Sequence, residues 1–165
     1  MQDLLAERLT GLVISFLRLG SASHAGQFWA DCTRITAQLR GLEADDRRVW
    51  RVFQRDLARF QGYLHEQMYG LPMSPAQVFT ILRIITAYVD RDIIRQAYPE
   101  YSQGTWFDRN LEGLTEQLSQ RISWFGDWTS AINDFEGQDT VPLMTIHKSK
   151  GLEDHTVCPC QCSAT

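Results

Sequence analysis

Lysine is nearly missing from this 165-residue chain: there are two, Lys148 and Lys150, against fourteen arginines. A coding preference for arginine accounts for the fourteen and leaves the two unexplained. A flexible, compact ammonium and a planar guanidinium are not interchangeable at a phosphate, so lysines confined to one short run point to a site that requires them. Long apolar runs are missing as well. No stretch reaches the roughly eighteen apolar residues of a membrane span, and the N-terminal segment has neither a basic leader region nor a small-residue cleavage site. The expectation is a cytoplasmic chain with no membrane association. Cysteine is scarce: Cys32 stands alone in a helical segment, while Cys158, Cys160 and Cys162 crowd the tail, which is no disulfide framework. With His155 the tail has the residue types of a metal site, but its single-residue spacers do not match the usual ligand pairs, so no metal is expected there and the tail reads as disordered. Nor is there a Gly-x-x-x-x-Gly-Lys-Ser/Thr loop, so a backbone cradle for β- and γ-phosphates is lacking and the chain alone is not expected to hydrolyse ATP.

What is present is an ordinary core-forming composition, 44% hydrophobic and 22% charged, with a formal charge of -4. That charge excludes a surface that traps polyanions everywhere and leaves room for local basic patches. Residues before about 138 read almost entirely as helix. Leu4, Leu5, Leu9, Leu12, Val13, Phe16 and Leu17 share one face of a first helix ending near Gly20. A second helix from Phe28 to about Leu39 turns Trp29, Ile35 and Leu39 inward and stops at Gly41. The third runs from about Asp45 to Tyr69 on a seam of Val49, Phe53, Leu57, Phe60, Leu64 and Met68, and Gly70 and Pro72 end it. Ser74-Pro-Ala-Gln77 is a capping signal for a fourth, with Val78, Ile81, Leu82, Ile85 and Val89 inward. A short helix or turn fits Asp90 to Tyr98. Phe107, Leu111, Leu114, Leu118, Ile122 and Phe125 then form a clean stripe, continuing past Gly126 through Trp128, Ile132 and Phe135 to a stop at Gly137.

The pattern changes at Val141. Leu143, Met144 and Ile146 read as a short buried strand, and Thr145, His147, Lys148, Ser149 and Lys150 gather hydrogen-bond donors just before Gly151. The run Val141-Pro-Leu-Met-Thr-Ile-His-Lys-Ser-Lys-Gly-Leu-Glu153 resembles motif V of superfamily 1 DNA helicases of the UvrD/Rep/PcrA type, and its His-Lys-Ser-Lys-Gly-Leu-Glu form is also similar to the RecB/AddA helicase-nucleases. The resemblance implies nucleotide binding by Lys150, Gly151 and Glu153, with the lysine at the γ-phosphate and the glutamate at the sugar. It implies that Thr145 and His147 lie beside a track of single-stranded DNA. In the complete helicase it implies ATP and Mg2+ as cofactors, single-stranded and duplex DNA as partners, and translocation from 3′ to 5′.

In that family a largely helical domain, called 2B, is inserted just before the motif V strand of the second RecA-like domain, 2A. The fold class implied is mainly α: a 2B-like helical bundle over residues 1–138, then a short strand and a remnant of a RecA-like α/β domain over residues 139–165. After Glu153 the family continues with an aromatic residue and an apolar strand. This chain has Asp154 and then a small, polar, Pro159-containing tail, the pattern expected of a truncated or frameshifted copy whose other motor half lies elsewhere. No complete catalytic set is expected in residues 1–165.

One further feature is a stripe of Arg47, Arg51, Arg55 and Arg59 at four-residue spacing, with Arg48 beside it. Two readings stay open: phosphate contact with duplex DNA, or a solvated face partly neutralised by Asp45, Asp46 and Asp56 one turn away. Apart from these two readings of the stripe, the alternative to a helicase fragment is a non-catalytic helical DNA- or protein-interaction module in which the helicase motif is vestigial and such stripes do the binding. Trp50, Trp106 and Trp124 are expected in interhelical packing rather than as base-stacking platforms, and His24 and His65 have no catalytic partner in sequence.

Overall fold

A computed structural model describes residues 7–22, 26–43, 45–70, 72–102 and 104–138. Among them are seven α-helices: α1 Arg8–Ser21, α2 Gly26–Leu39, α3 Arg47–Tyr69, α4 Pro75–Val89, α5 Arg91–Ala97, α6 Trp106–Phe125 and α7 Trp128–Glu136. A 3₁₀ turn, Pro99–Tyr101, follows α5. The described residues contain no strand, in line with a mainly α fold. The extended run expected at Val141–Ile146, and Leu4 and Leu5 of the first stripe, lie outside the described residues.

Helix α1 is the centre of the bundle and touches α2, α3, α4, α6 and α7. Nine of its fourteen residues are buried, including Thr10 and Ile14, so the single apolar face read from sequence is an underestimate. A helix this apolar around its circumference can only be stable when covered on most sides. Phe16 lies edge-on to Phe60 at 5.7 Å, and Gly20 faces Leu64 and Met68, so α1 and α3 run in the same direction. A Cβ on Gly20 would lie 2.7 Å from the Met68 sulfur and 3.0 Å from Leu64 Cγ, so glycine here leaves room for these two α3 side chains against α1. His65 Nδ1, 2.8 Å from the Gly20 carbonyl, and the Gln61 amide, donating to Leu19 at 3.3 Å, fasten the same contact. His65 thereby has a packing role.

Local chemistry sets the helix ends. Asp46 caps α3 by accepting from the Arg48 and Val49 amides at 2.9 and 3.1 Å. Ser74 accepts from the Gln77 amide at 3.2 Å with Pro75 at the first helical position. The Gln77 side chain donates to the Gln67 and Met68 carbonyls, tying the start of α4 to the end of α3. Tyr88 stacks on Phe60 at 3.8 Å, so α3 and α4 are antiparallel. Asp90 carries φ +84, and among the described residues it is the sole non-glycine with positive φ. It ends α4 and caps α5 by accepting from the Asp92 amide at 2.9 Å.

Three details differ from the sequence reading. Val49 is 41% exposed rather than part of the α3 seam, and Trp124 and Phe125 are 65% and 46% exposed at the last turn of α6. The stripe through Gly126 is two helices, because Gly126 takes φ +73 and Asp127 starts α7 by accepting from Ser130. In α2 the fully covered residues are Cys32, Thr36 and Ala37, with Trp29, Ile35 and Leu39 half-buried against the core. No helix among the described residues is long and apolar enough to cross a membrane.

Candidate functional site

The residues implied for nucleotide and single-stranded DNA contact, Thr145, His147, Lys150, Gly151 and Glu153, lie outside the described residues. The arginine stripe lies within them. Phe53, Leu57, Phe60, Leu64 and Met68 turn α3 inward, which leaves Arg47, Arg48, Arg51, Arg55 and Arg59 all exposed on its outer side. Six other arginines have ion-pair partners, namely Arg18, Arg34, Arg40, Arg91, Arg95 and Arg121, and of those unpaired among the described residues Arg8, Arg83 and Arg109 stand singly on other helices while five share α3. Among the described residues none of the five on α3 has an acidic partner within ion-pair distance or an aromatic ring beneath it.

The neutralising pairs expected on this face are not formed, for identifiable reasons. Asp46 spends its carboxylate on the backbone amides at the start of α3. Asp56 sits 3.9 Å from Arg40, which comes from the end of α2. Arg40 is itself fixed, donating to the Tyr88 carbonyl and lying 4.9 Å over the Tyr88 ring. Burial, with the Asp56 carboxylate nearby, pushes the Tyr88 hydroxyl well above the ordinary tyrosine range, so it stays neutral. Arg51 donates to the Arg47 carbonyl at 3.2 Å and contributes no charge pairing.

A groove of ≈ 470 Å³ runs along this side of α3. Its apolar lining comes from Val49, Val52, Phe53 and Leu42, and its charged rim from Arg40, Arg48, Arg55 and Arg59 with Asp56. Positions 48, 52, 55 and 59 fall on one side of the helix because their separations of four, three and four residues track its turn. The structure thus brings Arg55 and Arg59 together with Arg48 and Arg40, and leaves Arg47 and Arg51 outside the groove lining. Sequence reasoning missed Arg40, Leu42 and Val52. Val52 carried a local signal, an apolar residue amid arginines on an outer face, and is 63% exposed. Leu42 arrives through the turn at Gly41, whose φ of +61 is a conformation glycine adopts without strain.

Burial, with a contribution from Asp31, pushes the Cys32 thiol up to about 12, so no nucleophilic thiolate forms near neutral pH. Among the described residues no three His, Cys, Asp or Glu side chains gather where a metal could be held. Comparison with protein-family models, curated proteins and solved structures finds no match for this chain.

Proposed function

We propose that this chain is a segment of an ATP-dependent DNA helicase of superfamily 1, comprising a 2B-like helical insertion and the motif V run that follows it. The observation that carries the reading is the run Val141–Glu153 itself, where both lysines of the chain are placed. A helical body supports it: α7 is closed at Gly137, which has φ +71 and whose amide reaches the Asn133 and Asp134 carbonyls, four residues before the run begins. The donor set suits a nucleotide. The Lys150 ammonium would meet the γ-phosphate, the Glu153 carboxylate would accept from sugar hydroxyls, and Thr145 and His147 would donate to the DNA backbone. Bound ATP and Mg2+ would supply the phosphoryl-transfer chemistry in the complete helicase, where other segments provide the phosphate loop and metal-binding carboxylates.

With this segment restored to a complete helicase, Lys150→Ala is expected to lower ATP turnover by about a hundredfold or more, the scale of losing one charge-stabilising group at a transition state. DNA binding without nucleotide should change little. Equal ATPase rates in the two proteins would remove the phosphate role of Lys150.

A second reading, a non-catalytic helical interaction module, is favoured by the unpaired arginines around the α3 groove. Binding that depends on nucleotide in the complete protein supports the motor reading. Binding by the helical body that is indifferent to nucleotide supports the module.

A further inference from the structure

We propose that the α3 groove is a docking site for a short acidic amphipathic segment of a partner protein, seated as a helix with apolar residues on the valine floor and carboxylates on the arginine rim. This inference does not rest on the helicase reading and stands or falls on a different surface. Two observations combine to support it. The floor is apolar and uncovered: Val52 is 63% exposed and Val49 41% exposed, and Leu42 and Phe53 continue the lining. The rim carries four arginines against one aspartate, in a chain whose formal net charge is -4. A partner of the opposite charge is selected by that local reversal.

The disposition of the charges says which anion fits. Asp56 is held near Arg40 at 3.9 Å, so these two charges of the rim offset each other. Arg48, Arg55 and Arg59 have no ion-pair partner among the described residues and stand ready for carboxylates. Duplex DNA could use these three guanidiniums, but its phosphate backbone returns nothing for covering Val49 and Val52. An amphipathic helix uses both parts of the site, placing Leu or Ile at i, i+3, i+4 and i+7 on the floor and Glu at the flanks. From Val49 to Arg59 the groove wall is about 15 Å long at the rise of an α-helix, enough for about three turns of partner helix.

The test uses the full chain and three labelled probes: a Leu/Glu amphipathic helical peptide, the same peptide with Lys for Glu, and a mixed-sequence DNA duplex. Fluorescence anisotropy should show saturable binding of the Glu peptide and none of the Lys peptide. Arg55→Glu should weaken the Glu peptide about tenfold, the effect of about 1.4 kcal/mol at one charge-assisted contact. Val52→Asn should weaken the Glu peptide several-fold with the helical circular-dichroism spectrum and melting temperature unchanged, since that side chain is mostly exposed. Absence of saturable Glu-peptide binding overturns the proposal. So does tight duplex binding that falls with Arg55→Glu and ignores Val52→Asn, which makes the face a nucleic-acid site. Concentration-dependent self-association abolished by Val52→Asn also overturns it, since the occupant is then a second copy.

Discussion

Arginine does opposite work on two sides of this bundle. Where α1, α6 and α7 meet, Arg18 has only 12% of its side chain exposed, bonds Glu136 and Asn133, and lies 5.4 Å over the Phe28 ring. Arg121 reaches Asp134 at 3.0 Å and covers Phe135. These guanidiniums are fixed by a carboxylate and a ring; Arg18 joins α1 to α7 across most of the described chain, and Arg121 joins the consecutive helices α6 and α7. On the outer side of α3 the same residue type has none of these partners among the described residues. Their charge is left in solvent beside an apolar floor. The difference teaches that counting arginines says little about function. What separates a structural cation from a binding one is whether the fold has already given it a carboxylate.

The sharpest way to break this contrast is Arg18→Ala. It removes a part-buried pair and leaves Glu136 with a long bond from Gln138 at 3.4 Å, so the expected loss is about 1–3 kcal/mol in chemical unfolding, the range for hydrogen bonds to charged groups. A loss under about 0.5 kcal/mol, the scale of an exposed pair, would erase the distinction between the two sides.

A smaller effect belongs to Asp127, which starts α7 on the structural side. Its carboxylate accepts from the Ser130 amide at 2.8 Å, and this bond, followed by the Ser130 hydroxyl, holds its pKa below the usual range. A depressed pKa in the folded state means that the stabilisation is fully present above the ordinary carboxylate value and is lost as pH falls through the lower folded value. Asp127→Ala should cost about 1 kcal/mol at neutral pH, as for other cap removals. Asp127→Asn should keep most of the cap while flattening the acid limb of the stability profile. An acid limb unchanged in Asp127→Asn would assign the pH dependence to other carboxylates.

How far the sequence reveals all this depends on whether the cause is local. The α4 stripe of Val78, Ile81, Leu82, Ile85 and Val89 is buried as its spacing requires, and the Ser74 cap forms as its chemistry requires. Period and capping are properties of neighbours in the chain. Val49 shares the spacing of the α3 seam but sits at the helix edge beside the groove, so periodicity alone places it on the wrong side. Phe125 continues the α6 stripe into the last turn of the helix, where it and Trp124, expected in packing, are both exposed. The groove needed Arg40 and Leu42 to arrive from the end of α2, and nothing within α3 announces them. The stripe was legible; its lack of partners was only half so, because Asp46 is taken by a local cap at the start of α3 whereas Asp56 is drawn to Arg40 by the fold.

The smallest expected effect is the most informative about α3. Arg47 and Arg51 lie outside the groove lining and have no ion pair among the described residues, so Arg47→Gln with Arg51→Gln should change stability by less than about 0.5 kcal/mol. If the whole stripe meets duplex phosphates, the same double change should weaken duplex binding and shallow its salt slope by about one to two units, since each neutralised phosphate releases close to one counterion. Sequence preference would not change, because phosphate contacts position DNA without reading bases. If the groove is the working part of this face, Glu-peptide binding should survive the double change nearly intact and fall with Arg55→Glu. Titrations of both probes at several salt concentrations separate the outcomes. An unchanged duplex slope restricts the function of α3 to the arginines around Val52, whereas a shallower slope extends it along the helix to Arg47.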